Sequence, residues 1–264
     1  MLRDITIGQY YTENSVIHRM DPRFKIVASM LYLVSLFLVN QILAYVAVIL
    51  FIGTVIKLSK VPLGFVMRGL KPILMLIVFA FTINIFLTPG QGAPLVDIGF
   101  ITIYPEGVER AFFMAIRLVL LIVGTSLLTL TTSPIELTDG IEYLLNPFKR
   151  IGLPAHELAM MMTIALRFIP TLLEETDKIM KAQMARGADF ESGNIMNRAK
   201  ALIPLLVPLF ISAFRRADEL AMAMEARCYR GGEDRTRMKV LKYTKLDVFG
   251  GAVVVLYMAV CVVL

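Results

Sequence analysis

The sequence has few charged residues. Only 18% of its 264 residues are Asp, Glu, Lys or Arg, and 57% are hydrophobic, whereas about a quarter of a typical soluble domain is charged. Its two cysteines, Cys228 and Cys261, are too few and too far apart for a disulfide framework or a zinc site. The composition therefore predicts a membrane protein without a metal site of its own.

Motifs for catalysis and nucleotide binding are also missing. The sequence has no G-x-x-x-x-G-K-[ST] phosphate loop, and the nearest string, Gly64 to Lys71, has the wrong order after its second glycine. His18 and His156 have no Cys or carboxylate at metal-binding spacing, and no nucleophile–base pair is recognisable. We therefore predict a chain that is not an enzyme and binds no cofactor itself. The basic excess, +6 at neutral pH, indicates membrane orientation and contact with anionic lipids rather than nucleic acid.

Uncharged runs predict about five membrane-spanning helices. The polar N-terminal segment, from Met1 to Lys25, contains no cleavable signal peptide, so the first span should act as its own insertion signal. Residues 26–56 carry no charge, and Asn40-Gln41 divides them into two short spans. Basic residues flank both ends of this pair, which places the N-terminus in the cytoplasm and, after five spans, the C-terminus outside. The remaining spans are expected at residues 72–87, 107–131 and 248–263.

Two features of the membrane part leave alternatives open. Residues 96–104 partly alternate in polarity, as in a short extracellular β-hairpin or an extended arm. Arg117 lies inside the fourth span, where a charge is a functional candidate by default. The alternative is that Arg117 pairs with a neighbouring helix or extends to the membrane surface.

Residues 132–245 differ from the apolar regions around them, with 17 Lys or Arg and 14 Asp or Glu. Ser133 to Glu136 form a capping box that begins a helix, and Asn146-Pro147 ends it. Two longer helices follow, one from Pro154 to Arg186 and one ending at Arg227. We therefore predict three domains: a membrane domain of four spans at 1–131, a cytoplasmic helical domain at 132–245 and a final transmembrane helix at 246–264.

The two longer helices repeat one pattern at a constant offset, so that Ala185-Arg186 in the first matches Ala226-Arg227 in the second. Each also carries an apolar stripe with alternating spacings of four and three residues. The stripes are Met162, Leu166, Ile169 and Leu173 in the first helix, and Ile203, Val207, Phe210 and Phe214 in the second. They could cross each other, face a membrane partner, or both. We interpret both helices as interfacial; the alternative is two further spans.

Each arginine of the repeat lies where a cation stabilises the negative end of the helix dipole. Gly187 can adopt the left-handed conformation that ends a helix. Cys228 cannot do so as readily, so the second helix is expected to end less sharply. Capping explains one such arginine, but a duplicated pair indicates a partner with two equivalent binding sites. Guanidinium groups suit that role because they stay charged and bind carboxylates bidentately.

The chain resembles, over essentially its whole length, the transmembrane coupling subunit (T component, EcfT) of energy-coupling factor transporters. The resemblance rests on SVIHRMDPRFK (Ser15 to Lys25), LRFIPTLLEETDKIMKAQMARG (Leu166 to Gly187) and RRADELAMAMEARCYRGG (Arg215 to Gly232). It implies an all-α membrane protein with about five transmembrane helices and a cytoplasmic coupling domain, in which two long amphipathic helices cross as an X. The family's ATPase-docking residues then correspond to Ala185, Arg186, Gly187, Ala226, Arg227 and Cys228; glycine is usual at position 228.

The resemblance also implies partners and location. Each Ala-Arg-Gly-like motif would dock into one of two ABC ATPase subunits, EcfA and EcfA′, which bind ATP with Mg and hydrolyse it. A separate S component in the membrane would capture a vitamin or metal ion and contact the apolar stripes. The chain would lie in a prokaryotic plasma membrane. The alternatives are a self-sufficient secondary transporter, for which the expected inverted repeats of spans are not seen, and a membrane scaffold of another ATP-driven complex.

Overall fold

The protein is almost entirely helical in its computed structural model, which describes residues 10–39, 41–88, 96–98, 101–188, 190, 195–231 and 240–263. The helices are α1 (Val16–Arg19), α2 (Pro22–Leu38), α3 (Ile42–Ser59), α4 (Leu63–Leu70), α5 (Leu74–Leu87), α6 (Pro105–Thr131), α7 (Pro134–Leu145), α8 (Ala155–Ala185), α9 (Ile195–Ala226) and α10 (Lys245–Val263). A 3₁₀ turn, Asn146–Ile151, follows α7. The described residues group into two compact units, 10–140 with 240–263, and 141–231. The helical content confirms the all-α class, while the predicted domain boundaries stay a prediction.

The predicted spans all coincide with helices. Among the described residues, α3, α6, α8 and α10 are each long and apolar enough to cross a membrane. The pair α4 and α5, bent by 59°, counts as a fifth candidate. Helix α2 has 17 residues, which is at the lower end of the ~17–25 that a spanning helix needs. Helix α8 is the least apolar of the four long candidates, and the interfacial interpretation of α8 stays a prediction.

Helix α4 was not predicted from the sequence. The sequence predicts a third span from about residue 72 and no helix between the second span and this one. The chain leaves α3 at Lys60, which has a left-handed φ of 57°, and re-enters a helix after Pro62. Val66 and Leu70 are buried on one face of α4. A Cβ at Gly69 would lie 2.7 Å from the Ser126 hydroxyl, so glycine lets α4 approach α6 closely. The sequence pattern hid α4 because only this narrow face is buried.

The segment between α5 and α6 contains a small β-hairpin. Strands β1 (Val96–Ile98) and β2 (Ile101–Ile103) are antiparallel, with Val96 opposite Ile103 and Ile98 opposite Ile101. Of the two alternatives for this segment, the hairpin is therefore confirmed.

The core of the first unit joins α2, α3, α6 and α10 through aromatic side chains. The Tyr32 hydroxyl donates to the Leu120 carbonyl at 2.9 Å, and the Phe51 and Tyr257 rings stack at 4.2 Å between centroids. An added Cβ at Gly124 would clash with the Tyr32 ring, so α6 needs glycine there. These contacts link the four helices within the chain.

Arg117 is satisfied within the chain. Its Nε donates to the Tyr45 hydroxyl at 3.1 Å, and its Nη2 donates to the Val39 carbonyl at 2.9 Å. The pairing alternative is therefore confirmed: Arg117 joins α6 to the hairpin of α2 and α3.

The DPR segment at the start of α2 forms a buried polar cluster. Arg23 binds the Asp21 carboxylate through Nε at 2.9 Å and Nη2 at 2.7 Å, and its guanidinium lies 4.1 Å from the centre of the Tyr243 ring. The Asp21 amide donates to Asp247 Oδ1 at 2.8 Å. Burial raises the pKa of Asp21, but hydrogen bonds from Arg23 outweigh it and hold that pKa below its ordinary value. The cluster fixes the start of α2 against the start of α10.

Candidate functional site

Helices α8 and α9 pack against each other in the second unit. Arg216 Nη2 on α9 lies 2.6 Å from Glu175 Oε2 on α8, and the Gln183 amide on α8 donates to the Pro204 carbonyl on α9 at 3.4 Å. From the first contact to the second, the residue number rises from 175 to 183 on α8 and falls from 216 to 204 on α9. The two helices therefore run in opposite directions. Hydrogen bonding from Ser212, together with the charge of Arg216, holds the pKa of the Glu175 carboxyl below its ordinary value.

The crossing joins equivalent positions of the repeat. Glu175 and Arg216 are separated by 41 residues, the same offset that relates the two Ala-Arg motifs. Contact between equivalent positions is what a local two-fold relation between two repeats produces. The C-terminal ends of α8 and α9 are therefore equivalent positions under this two-fold relation.

The two helix ends have the same backbone hydrogen bonds. After α8, the Gly187 amide donates to Met184 at 2.9 Å and the Ala188 amide to Gln183 at 3.0 Å. After α9, the Cys228 amide donates to Glu225 at 2.8 Å and the Tyr229 amide to Met224 at 3.0 Å. Both ends are Schellman motifs. We call Ala185–Ala188 the first tip and Ala226–Tyr229 the second tip.

The expectation that the second helix ends less sharply is wrong. Gly187 has a φ of 89° and Cys228 a φ of 56°, so both adopt the left-handed conformation. This conformation costs a residue with a Cβ about 1–2 kcal/mol. The hydrogen bonds that follow α9 hold Cys228 in it despite that cost, so Cys228 has the same cap geometry as Gly187.

The predicted docking residues lie on these two tips and are open to solvent. Ala185, Arg186 and Gly187 are exposed on the first tip, and Ala226, Arg227 and Cys228 on the second. Among the residues that the structure describes, neither Arg186 nor Arg227 forms an ion pair or a side-chain hydrogen bond. Both guanidinium groups are thus available to a partner.

The two apolar stripes differ in burial. Phe210 and Phe214 on α9 are 60% and 69% exposed. Together with their neighbours they form what we call the α9 patch: Leu202, Ile203, Leu206, Val207, Phe210, Ile211 and Phe214, all exposed. On α8, Met162 is exposed, whereas Leu166, Ile169 and Leu173 are half-buried.

The α9 patch points away from α8. Ser212 and Arg216, the α9 side chains next to Glu175 on α8, lie on the opposite side of the helix from the middle of the patch at 100° per residue. The exposed side chains of the α9 stripe are therefore not covered by α8 in the described chain, and what the stripe contacts stays a prediction. An exposed apolar patch of this extent is typical of a surface that contacts another protein or the membrane.

A hydrogen-bonded trio was missed in the sequence. His156 Nδ1 lies 3.0 Å from Glu142 Oε1, and His156 Nε2 lies 3.2 Å from the Tyr229 hydroxyl. Glu142 and His156 are 14 residues apart, a spacing that matches no helical or metal-binding pattern. They meet because the 3₁₀ turn between them reverses the chain. In the sequence, the opposite charges of Glu175 and Arg216 at the repeat offset are the signal that indicates the crossing.

Comparisons with known proteins identify the family. The family model CbiQ, described as a cobalt transport protein, matches residues 13–238. The Clostridium kluyveri protein named energy-coupling factor transporter transmembrane protein EcfT is 62% identical over 94% of this chain and 92% of its own length. The chain belongs to the EcfT family. EcfT proteins of Acidaminococcus fermentans and Bacillus subtilis are 60% and 52% identical, over 96% and 94% of this chain and 94% and 93% of their own lengths.

Family membership confirms the resemblance stated from the sequence. The three EcfT-like segments, residues 15–25, 166–187 and 215–232, all lie inside the matched region. The chain is therefore the multi-pass transmembrane component of an energy-coupling factor transporter.

Proposed function

We propose that the chain transmits ATP-driven movement of two ATPase subunits to a substrate-binding S component for uptake of a vitamin or another micronutrient. The observation that carries the proposal is the pair of tips: two exposed arginines on identical helix ends, related by the same 41-residue offset as the contact between Glu175 and Arg216. Two equivalent protrusions suit a partner that presents two equivalent grooves. Each tip docks in one ATPase subunit, EcfA or EcfA′.

The chemistry of the tips supports docking in an acidic groove. A guanidinium group donates in a planar fork that matches a carboxylate, and it keeps its charge when it is buried. The left-handed residue after each arginine turns the chain sharply away, which leaves the arginine at the end of its rod. Closure of the ATPase subunits then moves the ends of two crossed helices, and the contact of Glu175 with Arg216 lies at their crossing.

The α9 patch supplies the second surface. We assign the apolar stripes of α8 and α9 to contact with the S component: Met162, Leu166, Ile169, Leu173, Ile203, Val207, Phe210 and Phe214. Charged residues are absent from the α9 patch, so a partner side chain that packs on it should be apolar as well. Movement of the tips would thus reach the S component through α8 and α9 themselves.

The remaining assignments follow from this role. ATP and Mg bind in the ATPase subunits, and this chain performs no catalytic step. The chain lies in a prokaryotic plasma membrane with its N-terminus and the second unit on the cytoplasmic side, where the ATPases have access to ATP. Its C-terminus then lies outside, in keeping with five spans and the basic residues that flank the first two.

Co-expression with EcfA and EcfA′ tests the proposal. The wild-type chain should co-purify with both subunits, and Arg186→Glu with Arg227→Glu should abolish this while the chain still inserts into the membrane. The matched control is Lys178→Glu with Arg215→Glu, two exposed cations on the same helices. It changes the net charge equally and should retain both subunits.

Two results would count against the proposal. If the tip variant retains both ATPase subunits in size-exclusion chromatography, the arginines do not dock them. If the wild-type chain transports a substrate in vesicles without any ATPase, it is a self-sufficient secondary transporter.

A further inference from the structure

The second tip is attached to the rest of its unit by a side-chain contact. Tyr229 is the last residue of this tip, and its hydroxyl lies 3.2 Å from Nε2 of His156, near the beginning of α8. The other ring nitrogen of His156 lies 3.0 Å from the Glu142 carboxylate on α7. The contact therefore links the end of α9 to the beginning of α8 and to α7.

The proton positions follow from the groups involved. A carboxylate only accepts hydrogen bonds, so His156 Nδ1 carries the proton and donates to Glu142. In a neutral ring Nε2 then accepts from the Tyr229 hydroxyl, and in a protonated ring it donates to the same oxygen. The chain of hydrogen bonds is continuous in either state. The side chains of His156 and Glu142 are only 24% and 13% exposed, which shields these bonds from water.

Among the residues that the structure describes, the first tip has no equivalent of this contact. The repeat offset makes Ala188 the counterpart of Tyr229, and a methyl group cannot replace the hydroxyl. The backbone hydrogen bonds of the two tips are nevertheless the same. The tips therefore share their cap and differ in what holds them.

We propose that Glu142, His156 and Tyr229 form a tether that positions the Arg227 tip, so that the two tips are held with unequal stiffness. The crossing at Glu175 and Arg216 fixes one point of α9 relative to α8, and the tether fixes a second point beyond the end of α9, at Tyr229. Two fixed points set the direction of the end of α9. On α8 the last contact among the described residues, from the Gln183 amide to the Pro204 carbonyl at 3.4 Å, is exposed and lies before the tip. His156 is a positioning residue that acts through Tyr229. The consequence for docking rests on the proposed function, but the tether itself does not.

Distance measurements between spin labels test the tether in the whole chain. Cys228 is exposed and Cys261 is buried, so a nitroxide reagent labels the second tip at its native cysteine. A second label at Met161→Cys, which replaces a 54% exposed side chain on α8, gives the distance from the tip to the beginning of α8. We expect a narrow distance distribution that broadens with Tyr229→Phe and with His156→Ala. Glu142→Gln keeps an acceptor oxygen and should leave the distribution narrow, whereas Glu142→Ala should broaden it.

The first tip provides the matched control. With Gly187→Cys, Met161→Cys and Cys228→Ser, the label reports on the first tip, and Tyr229→Phe should leave its distance distribution unchanged. Because Tyr229→Phe removes one oxygen atom only, loss of folding is not expected, and circular dichroism checks it. An unchanged second-tip distribution in both Tyr229→Phe and His156→Ala would overturn the tether.

A binding arm separates the tether from the docking role. In the Arg186→Glu background, where only the second tip can dock, Tyr229→Phe should weaken binding of purified EcfA and EcfA′ by roughly two- to tenfold, the value of one net hydrogen bond. In the Arg227→Glu background the same change should have no effect. If Arg227→Glu itself leaves binding unchanged while the spin labels report broadening, the docking role fails and the tether stands. If Arg227→Glu weakens binding while the labels report no broadening, the reverse holds.

Discussion

Helices α8 and α9 repeat one sequence pattern, yet their apolar stripes differ in exposure. Most of the stripe on α8 is half-buried, whereas the stripe on α9 is exposed. Leu166, Ile169 and Leu173 on α8 are half-buried within the chain, whereas Phe210 and Phe214 on α9 are 60% and 69% exposed. At their C-terminal ends the same two helices agree in every backbone hydrogen bond of the cap. The two copies of the repeat thus have the same C-terminal cap but differ in the exposure of their apolar stripes.

This difference separates two roles that the sequence alone had combined. Identical ends are required if each contacts a similar partner, because the partner fixes the geometry of the contact. A difference in exposure between the two stripes is expected if the stripe of one helix packs against its own chain while the stripe of the other contacts an external partner. The α9 patch is therefore the better candidate for the S component, and the tips for the ATPases.

Phe210→Asp is expected to have the largest effect. An unpaired carboxylate in an apolar interface costs several kcal/mol, so S-component attachment should weaken by at least about a hundredfold while ATPase binding persists. Co-purification with an S component measures this. Met222→Asp, which also replaces an exposed α9 residue but lies outside the patch, should retain it. Equal loss in both variants would remove the distinction between the patch and the rest of α9.

Arg186→Glu and Arg227→Glu, made singly, test whether the tips are equivalent docks. Each removes one charge-assisted contact, so ATPase binding should weaken by about ten- to a hundredfold and remain measurable. Titration with purified EcfA and EcfA′ gives the two values. If one variant binds as the wild type does while the other does not bind at all, the chain has a single dock.

Glu175→Arg and Arg216→Glu test the crossing that makes the ends related. Both side chains are about a quarter to a third exposed, so breaking the pair should lower the free energy of unfolding by about 1 kcal/mol. The double exchange Glu175→Arg with Arg216→Glu should recover most of this loss. Denaturant unfolding in detergent measures it, and additive losses in the double exchange would mean that the pair does not contribute.

Cys228→Gly is expected to have the smallest effect, in the opposite direction. Glycine relieves the left-handed strain at φ 56° but adds freedom to the unfolded chain, so stability should rise by at most about 1 kcal/mol. Gly187→Ala at the other tip should lower it by a similar amount. Thermal unfolding of both variants checks this, and a loss of stability in Cys228→Gly would show that the thiol has a stabilising contact.

Much of the architecture could be predicted from the sequence because composition and caps are local. The break between α2 and α3, the start of α7 at Pro134 and the two Ala-Arg helix ends follow from charge, proline and capping residues. Family motifs supplied the crossing of α8 and α9. Helix α4 was missed because its buried face is only Val66 and Leu70.

The parts that failed depend on distant contacts. The conformation of Cys228 was misjudged because propensity argues from the residue alone, while the hydrogen bonds of Cys228 and Tyr229 to α9 decide the outcome. The sequence does not indicate the partners of His156, because Glu142 and Tyr229 are 14 and 73 residues away along the chain. The exposure of the α9 patch could not be predicted, since the same stripe spacing fits burial against α8 equally well.

The thiol of Cys228 gives the most direct test of docking, because it lies beside Arg227 on the exposed second tip. Gly187→Cys places a second thiol at the equivalent position of the first tip, where the backbone has the same handedness. Alkylation rates are measured with and without EcfA and EcfA′. We expect both thiols to react quickly in the chain alone and to become protected when the ATPase pair binds. Alkylation of both tips at the same rate in the assembled complex as in the chain alone would contradict it.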